Sequence, residues 1–120
     1  MITEDFVNFE VAKLLREKGF NEYTESCFVG KDWESPSPLT NSQLPDGRYS
    51  RPTLQMVMKW LREVYNIYFN INYYHLDTGS NWLVLRIHVL NKPGCECSFE
   101  GFVLEEEQEK AIKFCLENLI

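Results

Sequence analysis

Glycine and histidine are scarce in this sequence, and the few that occur form no catalytic or phosphate-binding pattern. Six glycines are scattered over 120 residues, and none of them forms a Gly-x-Gly or Walker motif. Only two histidines occur, and neither falls into a recognisable triad with a nucleophile. The sequence thus shows no catalytic residue and no cofactor-binding motif, which favours a non-catalytic protein over an enzyme.

The chain also lacks an excess of basic residues and any long uncharged apolar run. Twelve Lys and Arg stand against 18 Asp and Glu, which gives a net charge of −6. Such a chain is repelled by phosphate, so we expect no nucleic-acid partner. Residues 1–20 carry charges throughout, which is untypical of a signal peptide or a membrane span. We therefore expect a cytoplasmic protein without membrane association, whose four cysteines are free thiols.

The composition predicts one globular domain over residues 1–120. Hydrophobic residues make up 44% of the chain and charged residues 25%, which suits a single core of ordinary size. Apolar residues at helical spacing predict a first helix at about residues 4–18, with Thr3 and Asn8 as alternative N-caps. Gly19 stands where a left-handed residue ends a helix, and Phe20 is expected to pack back on the last turn.

Two further segments have the same helical spacing. Pro52 suits the first position of a second helix, and residues 105–118 predict a third helix that begins with a run of glutamates. The apolar stripe of the second helix comprises Leu54, Val57, Trp60, Leu61 and Val64.

Alternating apolar residues predict strands at about residues 67–74, 82–89 and 95–100, separated by turn sequences. A further short strand is expected near residues 27–29. Residues 31–51 contain three prolines and show no periodicity, so they are interpreted as a long irregular loop. The fold class is therefore α+β: a three-stranded antiparallel meander, a fourth short strand and three helices, in the order α-β-α-β-β-β-α.

The strand register bears on a Cys-Glu-Cys sequence that invites a metal-site interpretation. One face of each hairpin must be apolar, which is satisfied if Val89 faces Cys97. Cys95 and Cys97 then point into the core, and His88 points to the opposite side. The opposite parity would bury carboxylates such as Glu96 without partners. We therefore predict that the chain binds no metal.

The same register creates an aromatic outer face on the sheet, opposite the aliphatic side. Tyr, Trp and Arg are enriched at protein interfaces. Three interpretations remain: the 31–51 loop covers this face with Trp33, a protein partner or second copy binds it, or a small molecule binds it. The candidate interaction face comprises Tyr68, Tyr74, Trp82, Arg86 and His88.

Three blocks of residues, at the start of the chain, around the second helix and at the end of the chain, carry a resemblance to known proteins. These residues are Asp5-Phe6-Val7, Phe9-Glu10-Val11-Ala12, Leu14-Leu15, Lys18-Gly19-Phe20, Arg51-Pro52-Thr53-Leu54-Gln55, Val57, Lys59-Trp60-Leu61-Arg62-Glu63, Ala111, Cys115-Leu116 and Leu119-Ile120. Through them the whole chain resembles a group of small uncharacterised proteins from gut anaerobic bacteria and their bacteriophages or mobile elements. The resemblance transfers no catalytic site, because the matching residues are of the kind that build a fold. It implies an accessory role in phage or mobile-element biology.

Two classes of function follow from these observations. The first is a non-catalytic protein-interaction or regulatory module whose partner is another protein or a second copy of the chain. The alternative is a small-ligand-binding protein or an enzyme that uses a cleft between residues 31–51 and the sheet. A flat aromatic face would favour the first, and a deep pocket with convergent polar groups the second.

Overall fold

Helices pack against one face of a three-stranded antiparallel sheet, and a second small sheet adjoins the first helix. The computed structural model describes residues 4–120. The α+β class and the predicted order of elements are confirmed, with two further short strands inside residues 31–51. The elements are α1 (Phe9–Glu17), β1 (Ser26–Val29), β2 (Glu34–Pro36), a 3-10 turn (Asn41–Gln43), β3 (Arg48–Ser50), α2 (Leu54–Tyr65), β4 (Ile67–His75), β5 (Asn81–Val89), β6 (Cys97–Gly101) and α3 (Leu104–Asn118).

Helix α1 begins later than the apolar spacing predicted. Asn8 is the N-cap, since its side chain accepts a hydrogen bond from the Val11 backbone N–H at 2.9 Å. The predicted start at residue 4 is wrong because the preceding residues are extended, with Phe6 bridging to Thr53. Thr3 lies outside the described residues. Gly19 has the expected left-handed backbone, and the backbone N–H of Phe20 donates to Leu15 as the helix ends.

Residues 31–51, interpreted as an irregular loop, form most of a second sheet with strand order β2-β1-β3. Arg16 binds this segment to helix α1, since its guanidinium donates hydrogen bonds to the carbonyls of Leu44 and Pro45 at 3.1 and 3.0 Å. Buried Asn41 donates to the Phe20 carbonyl and accepts from the Ser50 backbone N–H, both at 2.8 Å. These hydrogen bonds satisfy backbone groups and the buried Asn41 amide, and residue spacing alone does not predict which groups pair.

Helix α2 begins at Leu54 rather than at Pro52. Thr53 caps it by accepting from the backbone N–H of Met56 at 3.2 Å. Pro52 is buried before the helix, and its carbonyl accepts a hydrogen bond from Val7. Four of the five predicted stripe residues are buried, but Val64 is 55% exposed and its assignment to the core was wrong.

The β4–β5 register is the predicted one, with Tyr73 opposite Leu83. The β5–β6 register differs by two residues, because Cys97 lies opposite Ile87 instead of Val89. A two-residue shift keeps each side chain on its predicted face. It also places Cys95 before the start of β6, where the residue is exposed rather than in the core.

One cluster of buried apolar residues joins the three helices to the inner face of the β4–β5–β6 sheet. Phe28 of β1 belongs to it, so the second sheet shares this core. The inner face of β5 contributes Leu83, Leu85 and Ile87, all of which are fully buried. Among the described residues, no helix is both long and apolar enough to cross a membrane.

Candidate functional site

The outer face of the β4–β5–β6 sheet brings the predicted candidate residues together. The strand pairing places Tyr74 opposite Trp82, Tyr68 opposite His88, and Asn70 opposite Arg86. Because successive strand residues alternate between faces, these side chains all lie opposite the buried Leu83, Leu85 and Ile87 side. The sequence therefore located this face correctly from alternation and from the two turns that flank β5.

The segment 31–51 does not cover the outer face. Tyr68 and Tyr74 remain 39% and 48% exposed, which leaves a large apolar area of each ring in water. Trp33, the residue expected to pack on this face, is itself 74% exposed in the connection between β1 and β2. The interpretation of this segment as a cover was wrong because its strands pair with β1, and Tyr49 of β3 packs on Phe9 of α1.

Phe102 belongs to the outer face, although the sequence analysis did not include it. Its ring meets Trp82 edge to face, with centroids 4.9 Å apart and an interplanar angle of 79°. The β5–β6 register pairs Leu83 with Gly101, so the next residue, Phe102, falls beside Trp82. The row Tyr74–Trp82–Phe102 thus runs from β4 across β5 to the residue that follows β6, and we call it the aromatic row. Correct pairing of β5 with β6 was the signal that would have identified Phe102.

Arg86 and His88 differ in how firmly the fold holds them. Within residues 4–120, Arg86 takes part in no ion pair, although it is partly buried between Asn70 and Ser98 on neighbouring strands. His88 lies 3.2 Å through Nδ1 from the Gly94 carbonyl oxygen. A carbonyl only accepts, so Nδ1 is the protonated nitrogen and the ring ties β5 to the turn before β6. Arg86 is the residue of the two that is free to bind a partner.

Two grooves flank helix α2, on either side of Gln55 and Lys59. The first, of about 370 Å³, separates α2 from β4 and is also lined by Met58, Phe69 and Gln108. The second, of about 520 Å³, lies between α2 and the segment around Tyr23, with Trp60 at its base. Neither groove is lined by residues 31–51, so neither is the cleft that a ligand-binding alternative required.

The cysteines form no recognisable metal or nucleophile site. Burial raises the pKa of the Cys115 thiol to about 12, and the neighbouring Cys97 contributes to the same shift. A thiol with such a pKa stays protonated and is a poor nucleophile near neutral pH. Cys95 is exposed, and its thiol lies 2.9 Å from the Cys97 carbonyl oxygen, to which it donates. In the part of the chain that is described, no three His, Cys, Asp or Glu residues group to hold a metal ion.

No protein-family model matches the chain, and no match was found among curated proteins or among solved structures. The resemblance to proteins of gut bacteria and their phages therefore stays an expectation from the sequence.

Proposed function

We propose that this protein is a non-catalytic interaction module that binds a partner protein through the outer face of its β4–β5–β6 sheet. The observation that carries the proposal is the aromatic row on the side of the sheet opposite the core, in which Tyr74 and Phe102 are exposed and Trp82 is half-buried between them. Soluble proteins seldom leave contiguous aromatic surface uncovered unless another molecule binds there.

The residues of this face have the chemistry of an interface centre. Aromatic side chains combine a large apolar area with little conformational entropy to lose, and Trp, Tyr and Arg dominate binding hot spots. Arg86 lies two rows below Trp82 on the same strand and has no ion-pair partner among the described residues. A partner that supplies an acceptor to Arg86 and an apolar surface to the aromatic row would satisfy both.

The rest of the proposal follows from the sequence. An acidic chain with no excess of cationic residues suits a protein partner better than a nucleic acid. The cytoplasm is the proposed compartment, and an accessory role in a bacteriophage or mobile element is the proposed biological context. The alternative of a small-ligand or enzymatic function required a cleft between residues 31–51 and the sheet. Five grooves of residues 4–120 bear on that requirement, and none of the five combines residues 31–51 with the β4–β6 sheet.

Partner capture with matched variants tests the proposal. The double change Trp82→Ser with Arg86→Ser alters only the central strand of the face, and Trp33→Ser removes an equally large exposed aromatic elsewhere. From a lysate of the organism that encodes the chain, we expect the wild type and Trp33→Ser to retain the same polypeptide. The double variant should retain at least about tenfold less, because each hot-spot residue contributes about 2 kcal/mol or more.

The outcome that contradicts the proposal is equally specific. If the double variant folds normally by circular dichroism and retains the same polypeptide as the wild type, the outer face is not the interface. Loss of binding in Trp33→Ser would instead place the interface on the second sheet.

A further inference from the structure

Within residues 4–120, strand β4 has one edge that pairs with no other strand. The sheet order is β4-β5-β6, so its only strand partner in that range is β5. The backbone N–H of Leu90 donates to Asn66 at 2.9 Å, and that of Leu76 donates to Ser80 at 2.8 Å. Hydrogen-bonded pairs alternate along an antiparallel ladder, so the even-numbered residues of β4 bond to β5. The odd-numbered residues direct their N–H and C=O groups away from the sheet: Ile67, Phe69, Ile71, Tyr73 and His75.

This edge lacks the features that usually protect edge strands from pairing. Its nine residues include no Lys, Arg, Asp, Glu or Pro, and no bulge interrupts its register with β5. Natural edges are normally short or carry charges, prolines or bulges, because an unprotected edge pairs with another chain. The opposite edge, β6, has only five residues and carries Glu100. Of the two edges of this sheet, β4 is the one open to an added strand.

Residues 68–74 of β4 are symmetric by residue type about Ile71, whereas the outermost pair of the strand, Ile67 with His75, is not. Asn70 and Asn72 flank it, then Phe69 and Tyr73, and then Tyr68 and Tyr74. Two antiparallel copies related by a two-fold axis through Ile71 pair each residue with its counterpart on the other side of that centre. Aromatic residues would therefore face aromatic residues, and asparagines would face asparagines, which are favourable cross-strand pairs.

We propose that the protein forms a homodimer by antiparallel pairing of β4 with β4 of a second copy, centred on Ile71. The pairing joins two three-stranded sheets into one six-stranded sheet. The odd-numbered residues are those whose backbone groups point outward, and in this register each of them meets another odd-numbered residue. The two copies can thus form about ten main-chain hydrogen bonds along the new ladder.

The groove between α2 and β4 accommodates the inner-face side chains of the added strand. In this register Tyr73 of the second copy lies opposite Phe69, which lines the groove. Gln108 also lines the groove, although only 3% of the residue is exposed. A tyrosine hydroxyl is a suitable hydrogen-bond partner for its side-chain amide. The groove thus offers both an apolar wall and a polar side chain to the incoming strand.

The area available suits a specific dimer of modest size. Tyr73 is 59% exposed, in addition to the exposed portions of Tyr68 and Tyr74. At about 200 Å² for each whole side chain, these tyrosines present roughly 300 Å² per copy. Two copies thus supply about half of the roughly 1,200 Å² that the smallest specific interfaces bury. The backbone edge, Phe69, Ile71 and the groove supply further area.

Introducing charges of one sign at the two asparagines of β4 tests both the dimer and its register. Asn70 and Asn72 are exposed on the outer face, so Asn70→Lys with Asn72→Lys leaves the core untouched. In the proposed register each introduced cation lies opposite another, which should make this variant monomeric. Asn70→Glu with Asn72→Glu should likewise be monomeric, because two carboxylates then face each other. An equimolar mixture of the two variants should form a heterodimer, because opposite charges then face each other.

Sedimentation equilibrium at roughly 100 µM protein gives the readout, since this concentration detects Kd values well above the micromolar range. We expect twice 14.2 kDa for the wild type and for the control Ser98→Lys, which alters β6 instead of β4. Each charged variant should sediment as a monomer, and their mixture as a dimer. Circular dichroism of both charged variants establishes that they are folded.

Three results would overturn the proposal: a monomeric wild type, a charged variant that stays dimeric, or a mixture that stays monomeric. The dimer does not rest on the proposed function of the outer face. The double variant Trp82→Ser with Arg86→Ser changes β5 only and should remain dimeric even where partner capture fails. The two proposals therefore fail independently.

Discussion

Replacement of Trp60 by Ala tests the packing of helix α2 against the core. Trp60 is only 7% exposed, and its ring meets Phe20 and Tyr65 edge to face, with centroids 5.3 and 5.2 Å apart. Truncation removes roughly 200 Å² of buried apolar surface, worth about 5 kcal/mol at 25 cal/mol per Å². Because the unfolded chain already buries part of that surface, the expected loss in free energy of unfolding is about 3–5 kcal/mol.

Urea unfolding followed by far-ultraviolet circular dichroism measures this loss. Val64→Ala is the matched control, since Val64 lies on the same helix but is mostly exposed, and it should change stability by less than about 0.5 kcal/mol. Total stabilities of small domains are about 5–15 kcal/mol, so a protein at the lower end of that range is largely unfolded without urea once Trp60 is replaced by Ala. Trp60→Phe then gives a measurable value, with an expected loss of about 1–2 kcal/mol. A loss below about 1 kcal/mol for Trp60→Ala would refute the assigned helix face.

Three further predictions concern the α3 side of the sheet and the thiols. Gly101→Ala should lower the free energy of unfolding by about 1–3 kcal/mol, because the added Cβ would lie 2.7 Å from the buried Glu107 carboxylate. When Glu107→Ala is made in the same chain, urea unfolding should show a smaller total loss than the sum of the two single losses. Below pH 9 a thiol reagent should label Cys95 in the native protein but leave Cys115 unreacted, because the raised pKa keeps the Cys115 thiol protonated; labelling of both at equal rates would contradict this. Elemental analysis of protein purified without chelators should find no bound zinc, and about one zinc per chain that is lost on changing Cys95 and Cys97 to Ser would disprove that prediction.

The sequence determined those elements in which apolar residues repeat at a regular spacing. Alternation over β4 and β5, with a turn sequence of fixed length between them, specified the register that the structure has. The faces of β6 were also correct although its register was displaced by two residues, because a side-chain period of two is unchanged by such a shift. Tyr68, Tyr74, Trp82 and Arg86 were therefore placed on the outer face from the sequence alone.

Element boundaries followed less reliably from the sequence. Asn8, one of the two predicted N-caps, begins α1 later than the predicted residue 4, and Thr53 begins α2 later than the predicted Pro52. Apolar spacing shows which residues face the core, whereas the N-cap lies where extended backbone gives way to helix. A backbone hydrogen bond keeps the residues before both helices out of the helical conformation: Val7, before α1, donates to the carbonyl of Pro52, before α2.

The second sheet and the exposure of the outer face were decided only by tertiary structure. Residues 31–51 have no period of their own, and hydrogen bonds from Arg16 to this segment and from Asn41 to the Phe20 carbonyl hold it in place. Once that segment is paired with β1, it no longer reaches the outer face, which leaves Tyr74 and Phe102 exposed. Local periodicity specifies which side of a strand is apolar, because neighbouring residues alone set it. Which surface stays uncovered depends on where every other segment packs, and that is a property of the whole fold.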